Sequence, residues 1–310
     1  LDLPSLTEAA TLAKADLTTE LVKEFTELQG VIGGLYARAE GKPEVVWQAV
    51  YDQYLPAGVE GRVPRSVEGA LLGIADRADT IAGLFGLGLE PTGSKDPFAL
   101  RRAANAIVKM LAEMELPLTL DAVAKHAAAD ESTAARMRLF FNERLSFYLR
   151  DVRGFAYDVV TAVLVAGASD VRDAVARGEA VSRMRESADF LAVSAAFKRM
   201  KNILEQAIAK GESLQGGEAL GAVRQVPEQA ALAEASNEVS ERVREAAAKR
   251  AYVAALEAMA TLRPHIDAFF DKVMVMDPDP EVRASRLALI SRIVGSFSGI
   301  ADFSEIVTSG

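Results

Sequence analysis

The sequence predicts an all-α protein, and both its composition and the spacing of its apolar residues support this. Half of the 310 residues are hydrophobic, a quarter are charged and only 6% are aromatic. The hydrophobic residues are mainly Ala, Leu and Val interleaved with Glu, Arg and Lys, which favours helices over sheets. Because a single core stops growing at roughly 250 residues, we expect two or three domains.

The N-terminal region is predicted to begin with two helices. Ser5 to Glu8 has the S-x-x-E form of a capping box, which predicts a helix start near residue 6. After residue 19, apolar residues recur at spacings of three and four, which predicts a second helix with one buried stripe. The stripe comprises Leu21, Phe25, Leu28, Ile32 and Leu35. Glycines at 30, 33 and 34 disfavour a helix, so we expect a close approach by another backbone segment there.

Stretches rich in Pro and Gly separate the next elements. Residues 55–65 predict a loop, and a helix is expected from about Val67 through Phe85. Residues 86–95, GLGLEPTGSK, break that helix and mark a first candidate domain boundary. Asp96 and Pro97 predict a new helix, since Asp is a good N-cap and Pro suits the first helical position. Its predicted core stripe is Leu100, Ala104, Ile107 and Leu111, and its opposite face carries Arg102, Asn105 and Lys109.

The rest of the chain is predicted to be further helices. Turns are expected at Pro117, Gly154, Gly167 and Gly178, and residues 211–227 predict a long loop. A buried helical stripe is predicted at Phe190, Val193, Phe197, Met200 and Leu204. Lys198, Arg199 and Asn202 point away from that stripe, and Lys201 lies at its flank. Asp279 and Pro280 repeat the capping device before a last stripe of Leu287, Ile290, Val294 and Phe297.

Composition also excludes several classes of protein. The chain has no Cys, which rules out disulfides, thiolate nucleophiles and Cys-ligated metal sites and fits a reducing cytoplasm. No apolar run approaches the roughly 20 residues of a membrane span, and no signal peptide is recognisable, so a soluble cytoplasmic protein is expected. Because the chain starts at Leu1, we expect it to be a fragment. The net charge of −9 argues against broad nucleic-acid binding but permits a local basic patch.

The usual catalytic signatures are missing from the sequence. His126 and His265 lie far apart, each without a partner at metal-ligand spacing, and neither is assigned a role. No phosphate-binding loop is recognisable, so ATP is not expected to bind this chain. Asp76 and Asp79 lie one helical turn apart and are interpreted as an exposed or salt-bridged pair beside Arg77 rather than as acid–base catalysts.

Two basic clusters carry more information. Lys198, Arg199, Lys201 and Asn202 on one helix combine phosphate-matching donors with an amide, and so do Arg102, Asn105 and Lys109 on another. Each cluster also fits a solvated helix face with ordinary ion pairs. Arg283 and Arg286 lie near the core stripe of the last helix, where they fit buried ion pairs equally well.

Four segments resemble one family and occur in the family's order. They are residues 12–38 (LAKADLTTELVKEFTELQGVIGGLYAR), 74–104 (IADRADTIAGLFGLGLEPTGSKDPFALRRAA), 198–207 (KRMKNILEQA) and 273–293 (VMVMDPDPEVRASRLALISRI). They resemble the C-terminal part of the bacterial glycyl-tRNA synthetase β subunit. The resemblance implies an HD-like helical domain at 1–92, a helical connecting region at 93–185 and an anticodon-binding bundle of the arginyl-tRNA synthetase type at 186–310.

The resemblance also implies a division of labour. In this family the α subunit uses ATP and Mg²⁺ and holds the aminoacylation site, whereas the β subunit supplies most of the tRNA recognition. The expected partners are glycine tRNA and the α subunit, in an assembly of two α and two β chains, with no membrane. The fragment itself is expected to need no cofactor, no metal and no catalytic residue. The predicted tRNA-binding residues are Lys198, Arg199, Lys201, Asn202, Arg283, Arg286, Arg102 and Lys109.

The HD comparison shows a departure from active hydrolases. An active HD phosphohydrolase holds its metal with a His, an adjacent His-Asp pair and a distal Asp, but residues 13–16 read Ala-Lys-Ala-Asp where the pair is expected. A distal Asp is retained as Asp76, and one carboxylate is too few for a catalytic cation. We therefore expect a fold reused for contacts with RNA or another subunit. A metal-dependent HD phosphohydrolase and a helical scaffold that ignores RNA remain the alternatives.

Overall fold

The computed structural model describes residues 1–214 and 226–307 of the chain. Every regular element in these ranges is helical, and the one strand-type pairing there is an isolated bridge between Thr92 and Lys95. The all-α prediction is therefore confirmed. No helix in the described part is both long and apolar enough to cross a lipid bilayer. Most of the predicted loop at 211–227, namely residues 215–225 with their three glycines, lies outside the described residues.

The chain divides into two compact units. The first comprises Leu1–Arg153 with Ser169–Arg172, and the second comprises Gly154–Ala168 with Asp173–Gly310. The predicted division into three segments, with boundaries at 92 and 185, stays a prediction.

The first unit contains eight α-helices within the described residues. They are α1 (Leu3–Leu12), α2 (Glu20–Glu24), α3 (Val31–Ala39), α4 (Glu44–Asp52), α5 (Val67–Gly86), α6 (Leu100–Glu113), α7 (Leu120–Ala127) and α8 (Glu131–Phe147). Short 3₁₀ segments at Ala15–Thr18 and Thr26–Leu28 and a π-helical segment at Tyr148–Val152 complete it. Apolar residues of α1, α4 and α5 form a shared cluster of Ala9, Val46, Ala49, Val50 and Leu72.

The second unit is organised around one long helix. Its helices are α9 (Tyr157–Val165), most of α10 (Val171–Met184), α11 (Ala188–Ala209), α12 (Pro227–Ala248), α13 (Tyr252–Ala260), α14 (Arg263–Lys272) and α15 (Pro280–Phe297). A 3₁₀ segment follows at Phe303–Glu305. The Phe197 ring of α11 contacts the rings of Phe297 and Phe303, with centroids 5.6 and 5.5 Å apart. The core of this unit therefore lies along the buried face of α11.

Several predicted elements are confirmed. The predicted stripe residues of α6 and of α11 are all buried, and so are those of α15 except the half-buried Val294. α5 runs over the predicted residues, and Asp279 caps α15 with Pro280 at its first position. Where apolar spacing persists over three or more turns, it therefore identifies the buried face correctly.

The predicted second helix is wrong. Residues 20–39 form two short helices and a 3₁₀ turn, because Gly30 adopts φ +79° and ends the helical path. As a result, Leu21, Phe25 and Leu35 of the predicted core stripe are 38%, 47% and 43% exposed. The spacing of three and four indicates one stripe only if the helix is continuous, and here it is interrupted.

The close backbone approach predicted at the glycines is confirmed at Gly34. A Cβ built there lies 2.8 Å from the carbonyl oxygen of Trp47 and 2.8 Å from the Cα of Tyr51. Since such distances are shorter than real Cβ contacts, only glycine lets α3 pack this closely on α4. The glycine therefore serves packing here, which compensates for its low helix propensity.

Three predicted boundaries need correction. α1 starts at Leu3 rather than residue 6, because Asp2 is the N-cap and its carboxylate accepts from the Ser5 amide. α6 starts at Leu100 rather than at Pro97, although Asp96 does cap it by accepting from the amides of Leu100 and Arg101. Gly178 lies inside α10 rather than at a turn, where its missing side chain makes room for the ring of Phe155.

A matched pair of glycine substitutions tests the role of close packing. We expect Gly34→Ala to destabilise the protein by about 1–3 kcal/mol, because the new methyl group overlaps the backbone of α4. Gly83→Ala, in α5 with open space around it, should instead stabilise by about 0.5–1 kcal/mol through helix propensity. Urea unfolding followed by circular dichroism measures both changes. A Gly34→Ala protein as stable as the Gly83→Ala protein would contradict the packing argument.

Candidate functional site

The exposed face of α11 carries three of the four residues of the basic cluster predicted on this helix. Ser187 caps the helix by accepting from the amide of Phe190, and the buried stripe orients the helix on the core. Lys198, Arg199 and Asn202 are exposed as a result. We call these three residues the α11 basic face. It presents an ammonium group, a guanidinium group and an amide within about one helical turn, a combination suited to phosphate and base edges.

Arg199 also forms the edge of a cleft. Its guanidinium carbon lies 4.0 Å from the ring centroid of Phe270 on α14, which is a close cation–π contact. The cleft has a volume of about 480 Å³ and lies between α11, the end of α14 and the segment 273–276. Its lining comprises Arg199, Ile203, Phe270, Asp271, Lys272, Val273, Met274, Val275 and Met276. We call it the Arg199–Phe270 cleft.

Arg283 and Arg286 support the wall of this cleft from inside. Arg286 is 6% exposed, and its Nη1 donates to the carbonyl oxygen of Met274 at 2.8 Å and to the Asp277 carboxylate at 2.7 Å. Arg283 Nη1 donates to the carbonyl oxygen of Asp277 at 2.6 Å, and its Nε lies 2.8 Å from the Glu212 carboxylate. The ion-pair alternative therefore describes both arginines, with Arg286 buried and Arg283 half-buried, and both position residues 274–278.

Lys201 is held in an ion pair within the unit. Its Nζ lies 2.6 Å from the Asp302 carboxylate and 3.3 Å from the Ser304 hydroxyl, which ties α11 to the 3₁₀ segment. The hydrogen bond to Asp302 raises the pKa of Lys201, against a smaller opposing effect of burial. Burial alone raises the pKa of Asp302, but hydrogen bonds from Lys201 and Ser304 outweigh it and hold that pKa below the ordinary 3.8.

The second predicted cluster, on α6, belongs to the first unit and is only partly available. Arg102 is exposed, but Lys109 is 8% exposed, and its Nζ lies 2.6 Å from the Glu113 carboxylate one turn away. Asn105 is half-buried. Lys109 is therefore held in an ion pair within its own helix and is largely withdrawn from solvent. A role in tRNA binding stays a prediction for all eight predicted residues.

Lys14 lies beside a carboxylate that the sequence analysis considered as a metal ligand. Lys14 forms an ion pair with Asp76, the predicted distal ligand, so an ammonium group lies against that carboxylate. Asp16 is 2% exposed and accepts from the amides of Gly30 at 2.6 Å and Gly33 at 3.2 Å. Each carboxylate therefore has partners from the chain itself, although Oδ1 of Asp16 is buried without a hydrogen-bond partner. No group of three or more His, Asp or Glu suited to a metal ion is found among residues 1–214 and 226–307.

The remaining candidates from the sequence are not part of the α11 basic face or of the Arg199–Phe270 cleft. The Asp76–Asp79 pair is as interpreted, with Asp79 exposed and Asp76 salt-bridged, but Arg77 donates instead to backbone carbonyls, including those of Gln53 and Tyr54. Burial lowers the pKa of Arg77. His126 is exposed in the last turn of α7, and His265 is half-buried in α14.

The sequence argument missed the α14 side of the cleft. Phe269 and Phe270 are adjacent, and successive helical residues point about 100° apart, so the two rings cannot both point into the centre of the core. The structure buries Phe269 completely and leaves Phe270 at the cleft. An aromatic pair followed by Asp271 and Lys272 was the available signal for this surface.

Comparison with known proteins agrees with this architecture. Residues 193–298, which contain the α11 basic face and the cleft, match the profile of the DALR anticodon binding domain. The fold and this surface thus define an all-helical protein with an anticodon-binding type of bundle. Residues 2–165 match the profile of the glycyl-tRNA synthetase beta subunit. The chain therefore belongs to the glycyl-tRNA synthetase beta subunit family.

Curated relatives support the same assignment. The chain is 55% identical over 317 residues to the glycine–tRNA ligase beta subunit of Acidobacterium capsulatum, an alignment that covers 99% of this chain and 45% of the relative. The corresponding proteins of Moorella thermoacetica and Desulforudis audaxviator are 42% and 40% identical over 98% and 96% of this chain and 44% and 43% of their own length. The chain thus spans less than half the length of these relatives.

Replacing Arg286 tests its structural role. We expect Arg286→Met to destabilise the protein by on the order of 3 kcal/mol, because Asp277 and the Met274 carbonyl lose their buried partner. Arg292→Met is the matched control, since Arg292 lies exposed on the same helix and should change stability by less than about 0.5 kcal/mol. Urea titration compares the two. Unchanged stability of Arg286→Met combined with lost RNA affinity would assign Arg286 to the RNA surface instead.

The ion pair between Lys201 and Asp302 predicts a pH dependence. Because the pKa of Asp302 is lowered, its contribution to stability is present above 3.8 and is lost as pH falls through the lowered value. The raised pKa of Lys201 adds a loss at the alkaline end, as pH rises above 10.5. We expect Asp302→Asn to be less stable than the parent at neutral pH and equally stable in acid below the lowered pKa. Urea midpoints over a pH series measure this, and a pH-independent difference would contradict it.

Proposed function

We propose that this chain is the tRNA-binding part of a glycine–tRNA ligase β subunit and that its second unit binds glycine tRNA through the α11 basic face. The observation that carries the proposal is the position of this face within the region that matches an anticodon-binding domain. Arg199 and Lys198 have no ion-pair partner among the described residues, so their charges remain available to phosphates.

The net charge of −9 supports specific rather than general RNA binding. An acidic surface repels nucleic acid, so a partner must bring its backbone to the few places where cations are uncompensated. Burial of the charges of Lys109 and Arg286 in internal ion pairs further restricts these places. The proposal therefore predicts binding that depends strongly on salt and on one local patch.

The rest of the enzyme is part of the same proposal. In it, aminoacylation with ATP and Mg²⁺ takes place on a separate α subunit, two α and two β chains assemble, and the complex works in the cytoplasm. The family relationship and the relatives' names support a ligase of this kind. The chain contributes affinity and register for the tRNA, and none of its own residues is assigned a step of the chemistry.

The phosphohydrolase alternative has less support. Its metal would need several ligands around the Asp76 carboxylate, but the nearest charged group there is the Lys14 ammonium, which repels a cation. The residues present therefore do not fit the metal centre of an active HD enzyme.

A double substitution tests the proposed surface. We expect Lys198→Ala with Arg199→Ala to weaken binding of glycine tRNA at least about tenfold and to make the slope of log affinity against log salt shallower by about 1 for each cation removed. Each phosphate contact that is lost no longer releases a counterion from the RNA, so the affinity depends less on the salt concentration. Filter binding over a salt series measures both quantities.

The control removes the same charge from elsewhere in the unit. Arg242→Ala with Lys249→Ala changes an exposed cation of α12 and the exposed C-cap residue that follows the helix, both at least about 20 Å along its axis from its N-terminal end near the cleft. If both double variants weaken binding equally, the effect is general electrostatics and the α11 basic face is not the site. If the parent chain ignores glycine tRNA at low salt, the scaffold alternative is favoured.

A further inference from the structure

We propose that the Arg199–Phe270 cleft binds one unstacked nucleobase of the bound RNA and that Asp271 selects a base with an exocyclic amino group. This inference rests on the proposed RNA binding and adds the chemical identity of the recognised group. It assigns roles to Phe270 and Asp271, which lie outside the basic cluster on α11.

The stacking surface is already assembled. Arg199 lies 4.0 Å from the Phe270 centroid, so the guanidinium group lies over one face of the aromatic ring at the edge of the cleft. Nucleobases stack on both kinds of surface, and an unstacked base in a single-stranded loop is the form that proteins usually read. Since Arg199 has no carboxylate partner in the described part of the chain, its in-plane N–H groups remain available to a phosphate.

The floor of the cleft is apolar and accessible. Val273 and Val275 are buried, whereas Met274 is 62% exposed and stands beside the cleft. A methionine side chain is flexible and polarisable, so it can pack against the second face of a planar ring. The volume of about 480 Å³ lies within the usual range of roughly 300–1,000 Å³ for small-ligand sites.

The wall is also held in place before any ligand binds. Arg286 and Arg283 fix the backbone of residues 274–278 from within through their bonds to Met274, Asp277 and Pro278. A cleft wall supported in this way loses little freedom on binding, which favours recognition of one base over loose adsorption.

The polar edge of the cleft distinguishes among bases. Lys272 is engaged with Glu228 at 2.8 Å, whereas Asp271 is exposed at the cleft with no ion-pair partner among the described residues. An ionised carboxylate only accepts hydrogen bonds, so it pairs with an amino group such as the N4 of cytosine. Uracil presents its O4 acceptor at that position, and two acceptors repel. The cleft is therefore expected to prefer cytosine to uracil, two bases of equal size.

The experiment compares oligocytidylate with oligouridylate of equal length by fluorescence anisotropy, using the whole chain. The parent is expected to bind oligocytidylate on the order of tenfold more tightly. Asp271→Asn should bring the ratio of the two affinities close to one, because an amide can donate to O4 as well as accept from N4. Phe270→Leu should weaken both RNAs by on the order of tenfold, since the stacking surface is lost.

Asp267→Asn is the matched control. Asp267 lies exposed one turn earlier on α14 beside Arg263, so this variant makes the same change of net charge away from the cleft. It should raise the affinity for both RNAs slightly and leave their ratio unchanged. Circular dichroism melting of each variant confirms that the fold is retained.

The outcomes separate this inference from the proposed function. If the parent binds both RNAs equally, or if Asp271→Asn behaves like Asp267→Asn, the base-selecting role of Asp271 is wrong although tRNA binding by the α11 basic face can still stand. If Phe270→Leu leaves both affinities unchanged, the cleft is not the stacking site. If glycine tRNA itself does not bind, the proposed function fails and this inference fails with it.

Discussion

Burial of one face of α11 is the constraint on which the second unit depends. Phe190, Phe197 and Met200 are almost completely buried, and the Phe197 ring packs edge-on against two other phenylalanine rings. Each buried aromatic side chain contributes about 1.5–3 kcal/mol, so rotation of the helix about its axis is strongly opposed. Because a helix repeats every 3.6 residues, the same burial places Lys198 and Arg199 in solvent. The rigidity of the core therefore determines where the basic face points.

The same structure shows how an acidic protein can keep a small basic surface. Several cations that look available in the sequence are used inside the fold. Arg177 is 2% exposed and donates to three backbone carbonyls, and Arg286 and Lys109 are likewise buried in ion pairs. Buried charges require partners, so these side chains specify backbone positions rather than attract RNA. Lys198 and Arg199 of α11 remain exposed and without an ion-pair partner in the described part of the chain. The basic surface is therefore smaller than the number of Lys and Arg residues in the sequence suggests.

In the first unit, two acidic side chains are engaged by groups of the chain itself. Asp16 binds two backbone amides at the start of α3, and Lys14 pairs with Asp76. These interactions tie the segment after α1 to α3 and to α5. The unit keeps its helical packing through Gly34, where no side chain separates α3 from α4. Phe25 and Leu35 are exposed although their spacing predicts burial, because the helical path is broken at Gly30.

Local sequence patterns determined the helical class, the long helices and their buried faces. In α6, α11 and α15 the apolar spacing continues for several turns, so the periodicity is visible without any knowledge of neighbouring elements. The capping aspartates Asp96 and Asp279 were also recognisable, because a cap acts within its own turn. The basic character of α11 could be read in the same way.

Only the tertiary structure decided which charges are free and what surrounds them. Lys201 pairs with a residue 101 positions away and Arg286 with Gln229, 57 positions away, and no local pattern indicates such partners. The contact of Arg199 with Phe270 likewise joins two helices that are distant in the chain. The physical reason is that helix propensity, capping and amphipathic spacing act over a few residues, whereas ion pairs and clefts form between side chains that only the packing of helices brings together.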